Sequence, residues 1–356
     1  MGDSMEKNVT IKTIAQEVGV STGTVHRALY GKKGVSAELR EKIQELCSER
    51  GYRANTAASA LKRGSVRIVA AFPGVEEHNR YFYSNVWRGF HRLIDELGDY
   101  NLDVVELSYY PGTAQDQCTV LERCFQQYSG TIDALLTVGH FDAACKDVVR
   151  TYSGKGIPVF LACDDTEDCG RVACVQGNYD MTGRMTAELL SSQLLPGSTV
   201  FLCTGDKHIP SHYQTVEGFE HYLGESAAKL NLVKIDGYAD EEEFRSRLRQ
   251  LLTDCSGTGG AFSVSARLSV ILAEEVESLS KAGDIRVVAS DLFRETIDYM
   301  ERGVVRNIVY KNPAQQAYQA AKVMTDYVLK AYKCEAEIQY VESLIIFRSS
   351  LDMYIE

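Results

Sequence analysis

The chain has 356 residues, of which 45% are hydrophobic and 24% charged, so it holds enough apolar material for two or three globular domains. Its net charge of −11 excludes a protein that binds nucleic acid over its whole surface. The charge is uneven: residues 1–65 carry 11 Lys and Arg against 7 Asp and Glu, a balance of +4, while the remaining 27 against 42 give −15. A basic head on an acidic body is typical of a nucleic-acid reader attached to a module that does not touch nucleic acid.

The ten cysteines are scattered without a Cys-x-x-Cys pair, and neither a secretion signal nor a membrane-length apolar segment is recognisable. This usage predicts reduced thiols that fill cores in a cytoplasmic protein. The seven histidines show no metal-ligand spacing, and the sequence has neither a G-x-S-x-G elbow nor a P-loop. We therefore expect no metal, no cofactor and no enzymatic activity.

The head contains three short amphipathic helices. The first is capped by Thr10 and ends at Gly19, and the second begins after the cap Ser21. Two short helices joined by a tight glycine-containing turn predict a helix-turn-helix, whose second helix enters a DNA major groove. A third helix follows Ser36 and ends at Gly51. A generic three-helix bundle is the alternative.

Residues 53–65 read RANTAASALKRGS, a short Ala-rich segment with a cap at Asn55 and a stop at Gly64. A helix of this length is marginal alone, because its nucleation is costly and few hydrogen bonds repay it. Such a segment folds when something holds it, as a coupled hinge does. The alternative is an interdomain linker with one helical turn.

Beyond residue 65, apolar strands alternate with amphipathic helices. Strands are predicted at 67–72, 102–107, 134–138, 158–162, 172–175, 199–203, 232–238, 260–264, 286–289 and 305–310. Helices are predicted at 83–97, 113–128, 145–153, 180–194, 211–223, 241–254, 268–282, 296–302 and 313–333. This alternation indicates parallel sheets with helices on both faces, and the strand number favours two doubly wound lobes with a ligand cleft at the carboxyl ends of the strands.

The head carries, in order, T-I-x-x-I-A-x-E-V-G-V-S, T-V-H-R-A-L, V-S-x-x-x-R-E-K-I and G-Y-R-A-N. These motifs resemble the DNA-binding domain of lac-repressor-type transcription regulators (the LacI/GalR family). The body resembles the sugar-binding, periplasmic-binding-protein-like (type I) fold of these regulators, and the tail L-I-I-F-R-S-S-L is similar to their closing motif, with Ser349 where Glu is usual. The resemblance spans essentially the whole chain. It implies an all-α helix-turn-helix domain followed by a two-lobed α/β effector domain.

Carried over by position, the resemblance implies that Thr22, Gly23 and Arg27 face base edges, with His26 adjacent. Arginine suits guanine because its fork matches O6 and N7 together, whereas Gly23 has no side chain with which to discriminate. Phosphate or sugar contacts, which position the protein without reading sequence, are implied for Ser21, Thr24, Tyr30 and Asn55. The resemblance also implies DNA contacts by Thr10 and Ala58.

The hinge segment has two features of its own. Leu61 matches the leucine that wedges into a base step in the family, and its alternative is an ordinary helix leucine. The family usually has Pro where this chain has Ala54, and that loss weakens the ordering of the hinge helix.

The same resemblance implies an effector site between the lobes. A sugar needs aromatic faces for its C–H surface and planar polar groups for its hydroxyls. The implied effector-binding residues are Tyr81, Phe82, Tyr83, Asp164, Arg171, Asn178, His212, Gln214, Ser265, Asp291 and Lys311. One ring of the aromatic loop is expected to stack on the ligand while the others belong to the core.

The effector set departs from the family pattern in two places. The arginine expected before Gly218-Phe219 is missing, and His212, Tyr213 and Gln214 occupy that region. Lys311 stands where Gln is common, so it either favours a phosphorylated or acidic effector or pairs with Asp291. Asp165 is expected to be a solvated loop carboxylate.

These patterns predict a DNA-binding domain at 1–52, a hinge at 53–65 and an effector and dimerisation domain at 66–356. Its N-lobe is expected at 66–170 and 292–325, and its C-lobe at 171–291 and 326–356. The predicted function is a homodimeric transcription regulator, of the repressor type, whose affinity for a double-stranded DNA operator is controlled by a small molecule. Carbohydrate is the favoured effector; a nucleobase, sugar phosphate or signalling molecule is the alternative, and a solute-binding protein is opposed by the attached helix-turn-helix.

Overall fold

The computed structural model describes residues 11–29, 33–50, 65–98, 100–128, 130–236, 240–332, 334 and 336–355. The head consists of α1 (Ile11–Val18), α2 (Thr22–Leu29) and α3 (Ala37–Glu49). Ile14, Val25, Ala28 and Ile43 are fully buried between these helices. Three amphipathic helices therefore share one small core, as the apolar spacing predicts.

Local signals set the turns of the head. Gly19 adopts φ 76°, a left-handed conformation that ends α1 without a Cβ penalty. Ser21 Oγ accepts a hydrogen bond from Thr24 N at 3.1 Å, and Ser36 Oγ accepts one from Leu39 N at 3.3 Å. Both predicted serine caps are confirmed, whereas Thr10 and Gly51 lie outside the described residues.

The body contains two six-stranded sheets. The first has the order β11-β5-β4-β3-β1-β2, and all its strand pairs are parallel. Its strands are β1 (Val66–Pro73), β2 (Leu102–Tyr109), β3 (Ala134–Thr137), β4 (Val159–Cys163), β5 (Ala173–Gly177) and β11 (Ile338–Val341). We call this half of the body the N-lobe.

The second sheet has the order β12-β10-β9-β8-β6-β7, and only its edge pair β10–β12 is antiparallel among the described pairs. Its strands are β6 (Thr199–Cys203), β7 (Asn231–Ile235), β8 (Gly259–Ser263), β9 (Ile285–Ser290), β10 (Val305–Tyr310) and β12 (Leu344–Phe347). We call this half the C-lobe. The predicted fold class, a helix-turn-helix head with a two-lobed α/β body, is confirmed.

Helices cover both faces of each sheet, as parallel crossover connections require. In the N-lobe, α4 (Arg80–Glu96) and α12 (Pro313–Lys330) cover one face, and α5 (Ala114–Tyr128) and α6 (Ala143–Gly154) cover the other. In the C-lobe, α7 (Tyr179–Gln193) and α8 (Pro210–Glu225) oppose α9 (Glu241–Asp254), α10 (Ala266–Ser278) and α11 (Arg294–Glu301).

The predicted division of the body into lobes was wrong. The chain crosses between the sheets three times: between β5 and α7, between β10 and α12, and between β11 and β12. Residues 171–177 and 326–341 therefore belong to the N-lobe, whereas 292–310 belong to the C-lobe. The boundaries failed because strand-helix alternation continues unchanged through each crossing. The limits of the head and hinge remain predictions.

Helices α7 and α8 approach each other unusually closely. A methyl carbon added at Gly183 would lie 2.1 Å from the backbone oxygen of Thr215, and one at Gly218 would lie 2.0 Å from that of Asp180. Two glycines thus let the backbones of the two helices touch. The N-termini of both helices point toward the cleft, so this packing fixes residues of the candidate site.

All ten cysteines are free thiols, and eight of them are buried, in keeping with their expected role as small core residues. Within the described parts of the chain, none of the helices has both the length and the apolar character needed to cross a membrane.

Candidate functional site

A row of polar side chains lies on the exposed side of α2. Ser21 Oγ is 2.9 Å from Thr24 Oγ1, and the Arg27 guanidinium donates to the same Thr24 oxygen at 3.2 Å. Thr22, Gly23 and Arg27 are all exposed. The helix therefore presents hydroxyl groups and one guanidinium on a face that its own core does not use, which is the arrangement needed to enter a major groove.

Part of the predicted DNA-binding set lies outside the described residues. These positions are Thr10, Tyr30, Asn55, Ala58 and Leu61. His26 lies within α2, but its side chain is not among those described. The DNA-contacting roles of all the named residues, including Ser21, Thr22, Gly23, Thr24 and Arg27, stay predictions.

Lys311 and Asp291 form a buried ion pair in the middle of the cleft. Lys311 Nζ lies 3.1 Å from Asp291 Oδ2, outside hydrogen-bond alignment, and donates to the backbone oxygen of Val264 at 3.0 Å. It also lies 5.7 Å from the centre of the Phe82 ring. The side chains of Lys311 and Asp291 are 5% and 0% exposed. The sequence left two alternatives for Lys311, contact with an anionic effector or a pair with Asp291, and the structure contains the pair with Asp291.

The backbone around Asp291 supports this pair. Asp291 has φ 65°, a left-handed conformation that Asp and Asn tolerate better than most residues, and its Oδ1 accepts from Lys311 N at 3.2 Å. Burial raises the pKa of the Asp291 carboxyl, and the neighbouring Lys311 ammonium offsets only part of that effect. Each of these two buried charges is therefore stabilised by the other.

Two further predicted effector residues, His212 and Ser265, lie beside the pair, and their polar atoms form hydrogen bonds within the protein. His212 Nδ1 accepts a hydrogen bond from Asp206 N at 3.0 Å. Burial, followed by the Lys311 charge, lowers the pKa of His212 to about 3, so its ring is neutral at physiological pH. Ser265 Oγ caps α10 by accepting from Leu268 N at 3.4 Å. We call Asp164, His212, Ser265, Asp291 and Lys311 the central cluster.

Asp164 joins the two lobes directly. The residue directly follows β4 in the N-lobe. Its carboxylate accepts a hydrogen bond from Ser211 N, in the first turn of α8, at 2.7 Å. The residue is 4% exposed, and burial raises the pKa of its carboxyl to about 6, with the Ser211 hydrogen bonds opposing that rise. The charge of Asp164 therefore changes at a pH of about 6, just below neutrality.

Asp164→Asn is expected to stabilise the protein by about 1–3 kcal/mol at pH of about 8, with the gain vanishing near pH 4. The pKa of Asp164 in the folded state lies above the ordinary value of 3.8. The natural protein is therefore most stable at low pH, where this carboxyl is protonated, and it loses stability as the pH rises through about 6. Asparagine is neutral and keeps the acceptor for Ser211 N. Urea unfolding of both proteins across this pH range measures the difference; a constant difference would contradict the assignment.

The expected aromatic loop is the first turn of helix α4, which contains Tyr81, Phe82 and Tyr83, and it connects the lobes at another point. Tyr81 stacks on Phe293 of the C-lobe with ring centres 4.6 Å apart and an interplanar angle of 25°, and Arg80 pairs with Glu295 at 2.7 Å. Tyr83 packs against the N-lobe core. Tyr81 therefore stacks on a protein ring, and the Phe82 ring lies beside Lys311 of the central cluster.

The expectation that Asp165 is solvated was wrong. Asp165 is 7% exposed, and its two carboxylate oxygens accept from the Arg171 guanidinium, with Arg171 Nη2 at 2.7 Å. The Asp165 carboxylate raises the pKa of Arg171, whose Nη1 lies 3.4 Å from Glu337 Oε2. Arg171 is thus committed to an ion pair at the edge of the N-lobe sheet and is not brought to the central cluster.

Asn178 and Gln214 also lie apart from the central cluster. They line a cavity of about 530 Å³ between the lobes, which we call the side pocket, together with Asp165, Gln176 and Tyr340. Asn178 Oδ1 caps α7 by accepting from Met181 N at 3.0 Å. The predicted effector residues are therefore not gathered in one place: five form the central cluster, Asn178 and Gln214 line the side pocket, and Arg171 lies outside both.

Sequence reasoning missed several residues that form the contacts between lobes. Ser211 contributes only a backbone N–H, which no side-chain pattern reveals. Arg80 and Glu295 are 215 residues apart and carry no motif. Phe293 carries no motif either, and its position becomes informative only when the two lobes are placed together.

Comparisons with known proteins agree with this architecture. Residues 10–55 match the family model described as bacterial regulatory proteins, lacI family, and residues 69–331 match the periplasmic binding protein domain. The HTH-type transcriptional regulator GntR of Escherichia coli (strain K12) is 24% identical over 65% of this chain and 60% of its own length. This alignment therefore spans less than two thirds of that relative. The ribose operon repressor of Lactococcus lactis subsp. lactis is 21% identical over 93% of this chain and 96% of its own length.

Solved structures show the same body fold. GanP, a glucose-galactose binding protein from Geobacillus stearothermophilus, superposes with a TM-score of 0.70 at 21% identity, covering 81% of this chain and 99% of GanP. A solute binding protein of an ABC transporter from Agrobacterium vitis, bound with α-D-tagatopyranose, gives a TM-score of 0.70 at 15% identity over 80% and 96% of the two chains. At these identities the likeness concerns the fold alone.

Proposed function

This chain belongs to the lacI family of bacterial regulatory proteins and has a periplasmic binding protein domain, and we propose that it is a DNA-binding transcription regulator, a homodimeric repressor controlled by a small molecule. The proposed control acts on the affinity for a double-stranded DNA operator. The proposed effector is a carbohydrate that binds between the lobes. The DNA-reading role is supported chiefly by one observation: α2 packs its apolar side into the core of the head and exposes its polar side.

The α2 face supports base reading chiefly through Arg27. Its guanidinium is exposed, and the Thr24 hydroxyl orients it at 3.2 Å. A guanidinium can bond guanine O6 and N7 together, while the neighbouring hydroxyls of Ser21 and Thr24 suit phosphate and sugar contacts. Because Gly23 has no side chain that could reach a base, discrimination between DNA sequences depends on few side chains of α2.

The contacts between lobes support control by a ligand. The lobes are joined by Asp164 with Ser211 and by the pairs Arg80–Glu295 and Tyr81–Phe293. A molecule that contacts both lobes favours one of their relative arrangements, because it binds that arrangement more tightly than the other. In a dimer, a changed arrangement of the N-lobes alters the spacing of the segments that lead to the two heads, and this couples effector binding to operator binding.

Arg27→Ala is expected to weaken operator binding by about 10–100-fold, because one bidentate arginine–guanine contact supplies about 1–3 kcal/mol of discrimination. The measurement is fluorescence anisotropy with DNA from the promoter beside its own gene, at stated salt. Arg294→Ala is the matched control, since the Arg294 side chain is 90% exposed on the body. Unchanged affinity and sequence preference in Arg27→Ala would remove Arg27 from the reading surface.

A further inference from the structure

Tyr179 is the first residue of α7 and lies at the first crossing between the lobes, the one between β5 and α7. Its ring packs against Gly177, where an added methyl carbon would lie 2.8 Å from Tyr179 Cε1, and only 1% of the residue is exposed. Burial raises the pKa of the Tyr179 hydroxyl well above its usual value, so the group is a proton donor at physiological pH. The first helix of the C-lobe therefore begins with an enclosed hydrogen-bond donor.

Two acceptors of the N-lobe surround the Tyr179 hydroxyl. The hydroxyl donates to the backbone oxygen of Cys163 at the end of β4, and it lies 3.1 Å from Oε1 of Gln316, near the start of α12. A hydroxyl has one proton, so these two acceptors share it. Gln316 is fully buried, and its Nε2 donates to the backbone oxygen of Lys311, in the second crossing between β10 and α12. Tyr179 and Gln316 therefore connect the first crossing to the second.

The backbone that receives these hydrogen bonds is strained. Cys163 has φ 68° and Asn312, in the second crossing, has φ 55°, and both are left-handed conformations that are uncommon outside glycine. Such conformations persist where the surrounding contacts fix them. The Cys163 oxygen accepts from Tyr179, and Asn312 Oδ1 accepts from Gln315 N at 3.4 Å to cap α12. The tyrosine hydroxyl is thus one of the contacts that fix a strained segment.

A pair of hydroxyl groups connects the same helix to the third crossing, the one between β11 and β12. Thr182 Oγ1 lies 2.8 Å from Ser343 Oγ, and it is also 2.8 Å from the backbone oxygen of Asn178. Thr182 is 1% exposed and Ser343 is half-buried. Because Tyr179 and Thr182 are three residues apart in α7, they lie on neighbouring positions of its first turn. The start of α7 therefore contacts both of the other crossings.

We propose that the start of α7 couples the three crossings into one cooperative unit, and that Tyr179 is its positioning residue. The side chains of Tyr179, Gln316, Thr182 and Ser343 form the contacts between the crossings, so one crossing does not open without the other two. The lobes consequently change their arrangement in a single step rather than strand by strand. This inference concerns the motion of the body alone, and its test needs neither DNA nor a ligand.

The test is hydrogen–deuterium exchange of the full chain, read by mass spectrometry in peptides that span each crossing, under conditions where exchange reports the opening equilibrium. Tyr179→Phe removes the hydroxyl and keeps the ring. Tyr152→Phe is the matched control, because Tyr152 is also fully buried and donates to a backbone oxygen, that of Leu121 at 2.7 Å, but both partners lie in the N-lobe. Ser343→Ala tests the coupling from the third crossing. Urea unfolding of each variant measures its global stability.

We expect Tyr179→Phe to accelerate exchange about 10-fold at all three crossings, because buried acceptors lose their donor. Tyr152→Phe should accelerate exchange about 10-fold in α5 and α6 and less than about two-fold at the crossings.

Equal acceleration at the crossings in both tyrosine variants overturns the proposal, since exchange there would then follow global unfolding. Acceleration confined to the first crossing in Tyr179→Phe also overturns it. Ser343→Ala should accelerate exchange about three-fold at all three crossings, because it removes one exposed-side hydrogen bond of the unit. If Tyr179→Phe does not fold, Ser343→Ala decides alone, and acceleration confined to the third crossing overturns the coupling.

Discussion

Replacing Lys311 with methionine is expected to lower the free energy of unfolding by about 3–5 kcal/mol at neutral pH. Methionine fills similar space but leaves the fully buried Asp291 carboxyl without the ammonium that lies 3.1 Å away. Removing that charge raises the Asp291 pKa further above its ordinary value. The loss should therefore grow as pH rises above about 4 and should shrink where Asp291 is protonated in both folded and unfolded states.

The matched control is Lys322→Met, because Lys322 pairs with Asp326 at the shorter distance of 2.8 Å but its side chain is 50% exposed. Exposed pairs contribute about 0–1 kcal/mol, so burial rather than distance should decide the outcome. The double variant Asp291→Asn/Lys311→Met should recover most of the loss, since asparagine tolerates φ 65° and is neutral. Equal losses in Lys311→Met and Lys322→Met would show that the buried pair is not an important support of the cleft.

The pair also shows where sequence reasoning stops. Asp291 and Lys311 were both readable as residues at the carboxyl ends of neighbouring strands, and this placement is confirmed. Whether the lysine faces a ligand or the aspartate depends on a few ångströms between adjacent strand ends, which no periodicity specifies. For the same reason Asp165 was expected in solvent, although Arg171 six residues later forms an ion pair with it.

The fold was predictable to the extent that hydrophobic periodicity sets it. All ten predicted strands of the body occur, and most of them are runs of buried apolar residues bounded by turns; β2 and β7 are partly exposed. The strands β11 and β12 were missed because each has only four residues, several of them partly exposed. The lobe connectivity was missed because a strand that changes sheets has the same local pattern as one that does not.

Gly218→Ala is expected to destabilise the protein by about 3 kcal/mol or more. The added methyl carbon would lie 2.0 Å from the Asp180 oxygen and 2.6 Å from its carbonyl carbon, both backbone atoms of α7. No side chain can rotate away to make room, so the two helices must separate. Thermal or urea unfolding measures the cost. Gly218 lies in the middle of α8, and this contact assigns it a role in packing the helix against α7.

Gly224→Ala on the same helix is the control, because a methyl carbon there meets no heavy atom within 4 Å among the described residues. Alanine at that position should be neutral or stabilising by up to about 1 kcal/mol. Separation of α7 from α8 would also displace Asn178, Ser211 and Gln214, which cap or begin these helices and face the other lobe. In the Gly218→Ala protein that stays folded, the effector should therefore change operator affinity less than it does in the natural protein. A Gly218→Ala protein that is less stable but keeps the full change in operator affinity would show that this helix packing is not needed for effector control.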